Sequence, residues 1–332
     1  MSEQRVLITG GLGCIGSQAA KWLLAETEVS VCIASRSVSA ERYKRVFSTE
    51  DHEQAIRDGR LRFVELDVRD VAQIDRVLAD EAITHVVHMA ALQTPDCNKH
   101  RDLGLQINLG GTQNLIESMK RSCSIERFVF ASSVAVYGPR AVYPPGQVPM
   151  LAQPQPVNVY GTWKLAGEQL AGFFQADTGI PTLSLRPGVL FGPGRDAGLT
   201  SSPTTAMKHV VQGKTYTIPF RTQQDYQYAP DVGAAVGIAT TQPFDGYAVY
   251  TLPGQTTDSQ GFTRHIEAAA KQLGLAAQCQ ISVGDDEVPF ICELDFAPFL
   301  DRFPSAPLTP MSQAVEQSLS EFQRQHQLGW LE

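Results

Sequence analysis

Apolar positions follow two rhythms along the first half of the chain. Short, almost unbroken apolar runs occupy residues 6–9, 29–34, 61–66, 85–88, 127–131 and 182–185. Each is too short for a helix and reads as a strand buried on both faces. Helix-length segments such as 17–25 and 71–79 lie between them. Strands alternating with helices predict an α/β fold, a parallel sheet covered on both sides. Residues 139–156 hold six prolines and predict a loop, because proline lacks the backbone donor.

The rhythm changes after Arg186. Residues 187–203 look loop-like, 204–212 helical, and 228–241 suggest a return to the first unit. The tail from 261 predicts a helix at 262–273, a short strand and an amphipathic C-terminal helix. The expected division is a first domain at 1–188 with a return segment near 225–252. A smaller lobe takes 189–224 and 253–332.

Composition narrows the class. With 332 residues, 43% of them hydrophobic, a sizeable core is expected. The net charge of −8 disfavours nucleic-acid binding, which uses basic patches. No apolar run approaches a membrane span, and a strand begins almost at once, so no leader is expected. The six cysteines are scattered without a CxxC pair, which suits reduced thiols in a cytoplasmic protein. His100 and His209 lack partners at metal-ligand spacing, so no metal site is expected.

Chemistry concentrates in three places. The first is "TGGLGCIG", where Gly10, Gly13 and Gly16 recur every third residue between a strand and a helix. Such a turn, with Cys14 and Ile15 inside it, lets backbone approach a pyrophosphate at a helix N-terminus. Helix–strand packing is the plainer use of the same glycines. The second is the end of the second strand, where an acidic residue would select NAD by bonding the ribose 2′-hydroxyl. This chain has Ser35 and Arg36 there. A guanidinium can clamp a 2′-phosphate, so NADP is favoured, with NAD as the alternative. Asp67, just past the third strand, suits either an adenine amine or a helix cap or turn.

The third is "YGTWK", which sets Tyr160 and Lys164 four apart on one helical face. A free tyrosine, with a pKa of about 10, is a poor base at neutral pH. A neighbouring ammonium is expected to lower that value. Ser132 and Ser133 end the fifth strand nearby. Together these groups suit proton transfer coupled to hydride transfer at a carbinol.

These pieces resemble an extended short-chain dehydrogenase/reductase of the NAD-dependent epimerase/dehydratase family. The matching motifs are TGGLGCIG (9–16), LDV (66–68), HMAA (88–91), NLGGT (108–112), SSVAVYG (132–138), YGTWKLAGE (160–168), RPGVLFGPG (186–194) and DYQYAPDV (225–232). The resemblance implies a Rossmann-type doubly wound sheet with a C-terminal substrate-binding lobe. It implies Ser133, Tyr160 and Lys164 as the catalytic trio, with Ser132 one position early. It also implies Gly10, Gly13 and Gly16 on pyrophosphate, and Asp67 and Val68 on adenine. Ala90, Ala91 and Asn108 would lie along the dinucleotide, and Pro187 and Val189 on the nicotinamide side. Trp163 would sit at a subunit interface, in a homodimer built on this helix. Cys14 replaces a frequent aromatic and reads as packing, and His88 reads as structural.

Departures narrow the reaction. Family dehydratases carry Asp-Glu after the active-site hydroxyl, where this chain has Val134 and Ala135. Nucleotide-sugar members often carry an arginine where Gln224 stands, with Arg221 nearby as a substitute. "GKTYTIPF" (213–220) is similar to members that oxidise threonine, uronates or related hydroxy compounds. The expected function is therefore an NAD(P)-dependent oxidoreductase for a secondary alcohol of a small polar substrate, a sugar, sugar acid or hydroxy acid. The alternatives are a sugar or nucleotide-sugar epimerase that retains its cofactor, and a non-catalytic dinucleotide sensor.

Overall fold

The apolar runs stand side by side in the computed structural model, which describes residues 4–198, 200–287 and 291–331. They form β1 (Arg5–Thr9), β2 (Ser30–Ser35), β3 (Leu61–Glu65), β4 (His85–His88), β5 (Arg127–Ala131) and β6 (Thr182–Arg186). The chain then leaves the sheet through β7 (Val189–Phe191), β8 (Tyr216–Phe220) and β9 (Gln224–Tyr228), and β10 (Tyr247–Thr251) returns to it. The resulting seven-stranded sheet runs β10-β6-β5-β4-β1-β2-β3, and every pairing in it is parallel. The strand order reverses between β1 and β4. In a doubly wound sheet that switch point opens a crevice at the carboxyl ends of the strands.

Alternation along each strand sends side chains to opposite faces. Val6 and Ile8 of β1 join one core, and Leu7 joins the other. The first face is covered by α1 (Cys14–Glu26) and α10 (Ala229–Thr241), with Phe47 and Ala55 from α2 (Ala40–Val46), α3 (Glu50–Arg57) and their connection. The second is covered by α4 (Val71–Asp80), α7 (Gly111–Arg121) and α8 (Val159–Thr178). Between β4 and α7 lie two short helices, α5 (Thr94–Lys99) and α6 (Arg101–Leu105), and a π-helical turn at Gln106–Gly110. Asn158 caps α8 by accepting from the Gly161 N–H at 2.8 Å, and Gly179 ends it in the left-handed conformation.

The smaller lobe has its own core around Phe191, Tyr226, Phe262 and Phe322. It combines α9 (Ser202–Val211), a three-stranded sheet β11-β9-β7 with β11 at Gln255–Thr257, and a two-stranded sheet of β8 with β12 (Ile281–Asp286). Helices α11 (Ser259–Gln272) and α13 (Met311–Gln327) close it. The structure moves two boundaries of the expected division. β9 pairs within the lobe, so the return to the large sheet starts at α10. In the tail, Phe299 of α12 (Ala297–Arg302), with Phe303 and Ala306, buries against the large domain's core.

Helices α1 and α10 meet at backbone distance. A Cβ on Gly237 would collide with the Trp22 ring. Gly237→Ala should therefore lower stability by about 1–3 kcal/mol through overpacking, measured by denaturant unfolding. Helix propensity alone would raise it by about 1 kcal/mol, so the sign of the change separates the two effects.

Candidate active site

A cavity of about 370 Å³ occupies the switch-point crevice. Its floor is the turn from β1 into α1. Gly10 adopts φ +67°, and a Cβ there would lie 3.0 Å from the Ala90 backbone. A Cβ on Gly16 would lie 2.8 Å from the Gly10 carbonyl and Gly11 Cα. The turn therefore admits only bare backbone. Gly13 is the N-cap of α1, with no side-chain cap and no acidic residue in the first turn. The first N–H groups of the helix thus lack side-chain acceptors, and the dipole favours an anion. This cradle fits the diphosphate of a dinucleotide.

Buried hydrogen bonds hold the two sides of the crevice together. Thr9 Oγ1 bonds His88 Nδ1 at 2.7 Å and accepts from the Ala90 N–H at 3.2 Å, and His88 Nε2 meets Thr112 Oγ1 at 3.0 Å. Burial, with the Lys164 charge adding to it, pushes the His88 pKa down to about 3, so the ring is a neutral peg. Cys14 lines the cavity, and burial raises its thiol to about 12, which leaves little nucleophilic thiolate.

At one end the cavity is lined by Ser35, Arg36, Asp67 and Val68, and also by Arg42 from α2. The Asp67 carboxylate is turned onto Arg69, whose Nη2 donates at 2.5 Å and whose backbone N–H donates at 2.9 Å. The Arg69 hydrogen bond holds Asp67 below its usual range. Arg36 and Arg42 are exposed, and neither has a carboxylate within ion-pair distance among the described residues.

At the other end stand Ser133, Tyr160 and Lys164. Lys164 Nζ donates to the Ala131 carbonyl at 2.5 Å and lies 5.8 Å from the centre of the Tyr160 ring. Ser133 caps the short turn after β5, accepting from the Ala135 N–H at 3.1 Å. The expected lowering of the Tyr160 pKa is not what the structure has. Burial raises the phenol, against an opposing pull from the Ser133 hydroxyl and the Arg195 guanidinium. Desolvation outweighs these opposing pulls. Burial also brings Lys164 down to about 8.

The neighbouring Ser132 has a different partner. Its hydroxyl donates to Glu168 Oε1 at 2.5 Å, and Glu168 takes a two-pronged ion pair from Arg186, both bonds 2.7 Å. Arg186 also donates to Tyr137 Oη at 2.9 Å and the Met150 carbonyl at 3.0 Å. Pro187 and Val189 reach the cavity. The loop between them is fixed by the buried Gln227, which accepts from the Gly188 N–H at 2.7 Å and donates to the Leu252 carbonyl at 2.6 Å.

Other expected positions resolve differently. Ala90 and Ala91 line the cavity, but Asn108 does not. It is buried in the π-helical turn, where its amide accepts from the Leu92 N–H at 2.7 Å and donates to the Leu92 carbonyl at 2.9 Å. It therefore shapes the loop after β4 rather than facing a ligand. Trp163 packs its ring against Gly104 of α6 within this chain. Gln224 is fully buried outside the cavity, and neither of its amide atoms has a hydrogen-bond partner among the described residues. Arg221 pairs with Asp285 at 3.3 Å. The cavity gains Arg42, Gln93, Thr94, Arg195 and Thr200, which no spacing in the sequence marks. No cluster of three or more potential metal ligands occurs among the described residues.

A doubly wound sheet with a glycine cradle and a Ser–Tyr–Lys set defines a dinucleotide-dependent class of enzyme fold. The model of the NAD dependent epimerase/dehydratase family matches residues 6–252, and the chain belongs to that family. D-Erythronate dehydrogenase of Cupriavidus necator is 32% identical over 194 residues, covering 55% of this chain and 56% of that protein. UDP-glucose 4-epimerase of Lacticaseibacillus casei is 33% identical over 184 residues, covering 54% and 50%. The matched stretches thus span about half the length of these curated relatives. The crystal structure of UDP-glucose 4-epimerase from Thermotoga maritima with UDP-glucose shares the fold, with a TM-score of 0.81 at 20% identity, covering 97% of this chain and all of that one.

The lowered Lys164 pKa is directly measurable. Because the folded value of about 8 lies below the ordinary 10.5, the folded state sheds this proton first as pH rises. The group's destabilising effect is full below about pH 8 and fades between there and 10.5. In protein with ¹³C-methylated lysines, NMR titration should show one signal with its midpoint near 8, absent from Lys164→Arg. A full set of lysines titrating near 10.5 would contradict the assignment.

Proposed function

We propose that the protein is an NADP-linked dehydrogenase/reductase acting on a secondary alcohol or carbonyl of a small polar substrate. The observation that carries this is the gathering of Ser133, Tyr160 and Lys164 in one cavity with the glycine cradle. Apolar Val134 and Ala135 stand where an elimination acid and base would be, and the buried Gln224 stands where a diphosphate-clamping arginine would be. A bound nicotinamide dinucleotide supplies the two-electron hydride acceptor. Gly10, Gly13 and Gly16 admit its diphosphate against backbone, and Arg36 and Arg42 meet the 2′-phosphate. Ser133 holds the substrate oxygen. Tyr160 takes the hydroxyl proton as the carbon is oxidised and returns it in reduction. Lys164, on the same face of α8, would hold the nicotinamide ribose and set a positive charge near the phenol. The same reading includes a homodimer through α8, on which Phe173 is 64% exposed. No described helix is long and apolar enough to cross a membrane.

Tyr160→Phe keeps the shape and removes the transferable proton. Turnover should fall roughly 100-fold or more, with cofactor affinity unchanged by calorimetry. Near-normal turnover would remove Tyr160 from the chemistry. With substrate and excess oxidised cofactor, reduced cofactor should accumulate one for one with product. Product without net reduction would make the protein an epimerase.

Cofactor preference has its own test. Charge-assisted hydrogen bonds contribute about 1.5–3 kcal/mol, but Arg36 and Arg42 are exposed, and solvent screening favours the lower end. Arg36→Ala and Arg42→Ala should each weaken NADP roughly tenfold and leave NAD unaffected. Calorimetric titration of both cofactors into the three proteins measures this. Equal affinities in the parent would overturn the preference.

A further inference from the structure

Among the described residues, Arg195 is a cation in the cavity without a counter-ion. It follows β7 and lines the cavity, where its charge acts on both the Tyr160 phenol and the Cys14 thiol at the start of α1. Its Nη1 meets Gln93 Oε1 at 3.4 Å and its Nη2 meets Thr200 Oγ1 at 3.3 Å, both long bonds to neutral oxygens. Its Nε is buried with no partner among the described residues. The carboxylate next to it, Asp196, belongs to Lys208 at 2.7 Å. No ion pair engages Arg195 among the described residues. A guanidinium offers five donors in a rigid fork matched to a carboxylate, and here that fork is largely unfilled.

The surrounding chain holds the fork in place. A Cβ on Gly198 would collide with both Gln93 Oε1 and the Arg195 guanidinium, so the turn closes tightly around them. Gln18 of α1 donates to the Pro193 carbonyl at 3.3 Å and anchors the start of the same turn. The charge reaches the Tyr160 phenol and favours its ionised form.

We propose that Arg195 anchors the carboxylate of the substrate, so that the protein acts on a small hydroxy acid rather than a neutral polyol or a nucleotide sugar. This rests on the dehydrogenase reading above. The alternative anion in reach is the cofactor diphosphate, because the turn also touches the start of α1. The first N–H groups of α1 would serve that anion, which leaves the Arg195 fork, held by the neutral Gln93 and Thr200, for a second one.

The test compares short-chain aldonates with alditols of matching length, following reduced cofactor, in the parent protein, Arg195→Lys and Arg195→Ala. Aldonates should be oxidised with much lower KM than alditols. Arg195→Ala should raise the aldonate KM, and with it the ratio of aldonate to alditol KM, roughly 10- to 100-fold. Arg195→Lys should be intermediate, and added guanidinium ion should partly rescue the alanine variant. Preference for alditols, or equal weakening of cofactor binding and aldonate turnover, would overturn the inference, the latter by making Arg195 a diphosphate clamp. Titration of an aldonate into cofactor-saturated protein reads the anchor without turnover. Arginine-dependent binding with no reduced cofactor would uphold the anchor and remove the dehydrogenase reading. Absence of binding would overturn the anchor itself.

Discussion

One buried ion pair sets the geometry of the catalytic face. Glu168 lies one helical turn beyond Lys164 and two beyond Tyr160 on α8, and Arg186 grips it from the end of β6. Residues four apart share a helical face, so fixing Glu168 fixes the rotation of the helix about its axis. Desolvating two ions costs several kcal/mol each. Two 2.7 Å bonds, the Ser132 hydroxyl and the Tyr137 phenol offset that cost only in one arrangement. Any other rotation of α8 would strand a buried charge. The ammonium of Lys164 therefore falls on the Ala131 carbonyl, and Tyr160 falls opposite Ser133.

The cavity's charge runs against that of the molecule. The chain carries a net −8, yet the cavity walls present Arg36, Arg42, Lys164 and Arg195 around an uncapped helix N-terminus. The acid in the wall, Asp67, is neutralised by Arg69. A low-dielectric cleft lined by one sign of charge focuses its field and concentrates anions. Both a phosphorylated cofactor and an acidic substrate suit that field, and the acidic exterior discourages binding of polyanions elsewhere.

The sheet was legible because its strands are buried on both faces and read as unbroken apolar runs. The expected strands 6–9, 85–88 and 127–131 match their observed extents to within a residue. Helix α1 begins at Cys14, before the expected 17, because Gly16, which signals a turn, lies in the first turn of the helix and Gly13 is its N-cap. The lobe was harder. β9 reads QDYQY, a polar pattern, but every residue in it is buried, with Gln227 satisfied by backbone groups from two distant segments. Spacing revealed Tyr160 and Lys164 because they share a helix. It did not reveal Arg42 or Arg195, which enter from separate elements. Asn108 shows the converse, a residue in a recognisable motif whose amide is committed to a backbone loop.

The sheet closes late along the chain. β10 pairs with β6 only after the excursion through β7, α9, β8, β9 and α10. During synthesis the outer edge of β6 emerges long before the strand that covers it. Joining segments so far apart in sequence is slow, because loop-closure entropy comes before the contacts that reward it. Meanwhile a strand with free N–H and C=O groups is a template for foreign strands. The period between emergence of β6 and arrival of β10 is thus the stage of biogenesis most exposed to mispairing, and the one at which a chaperone would protect the chain.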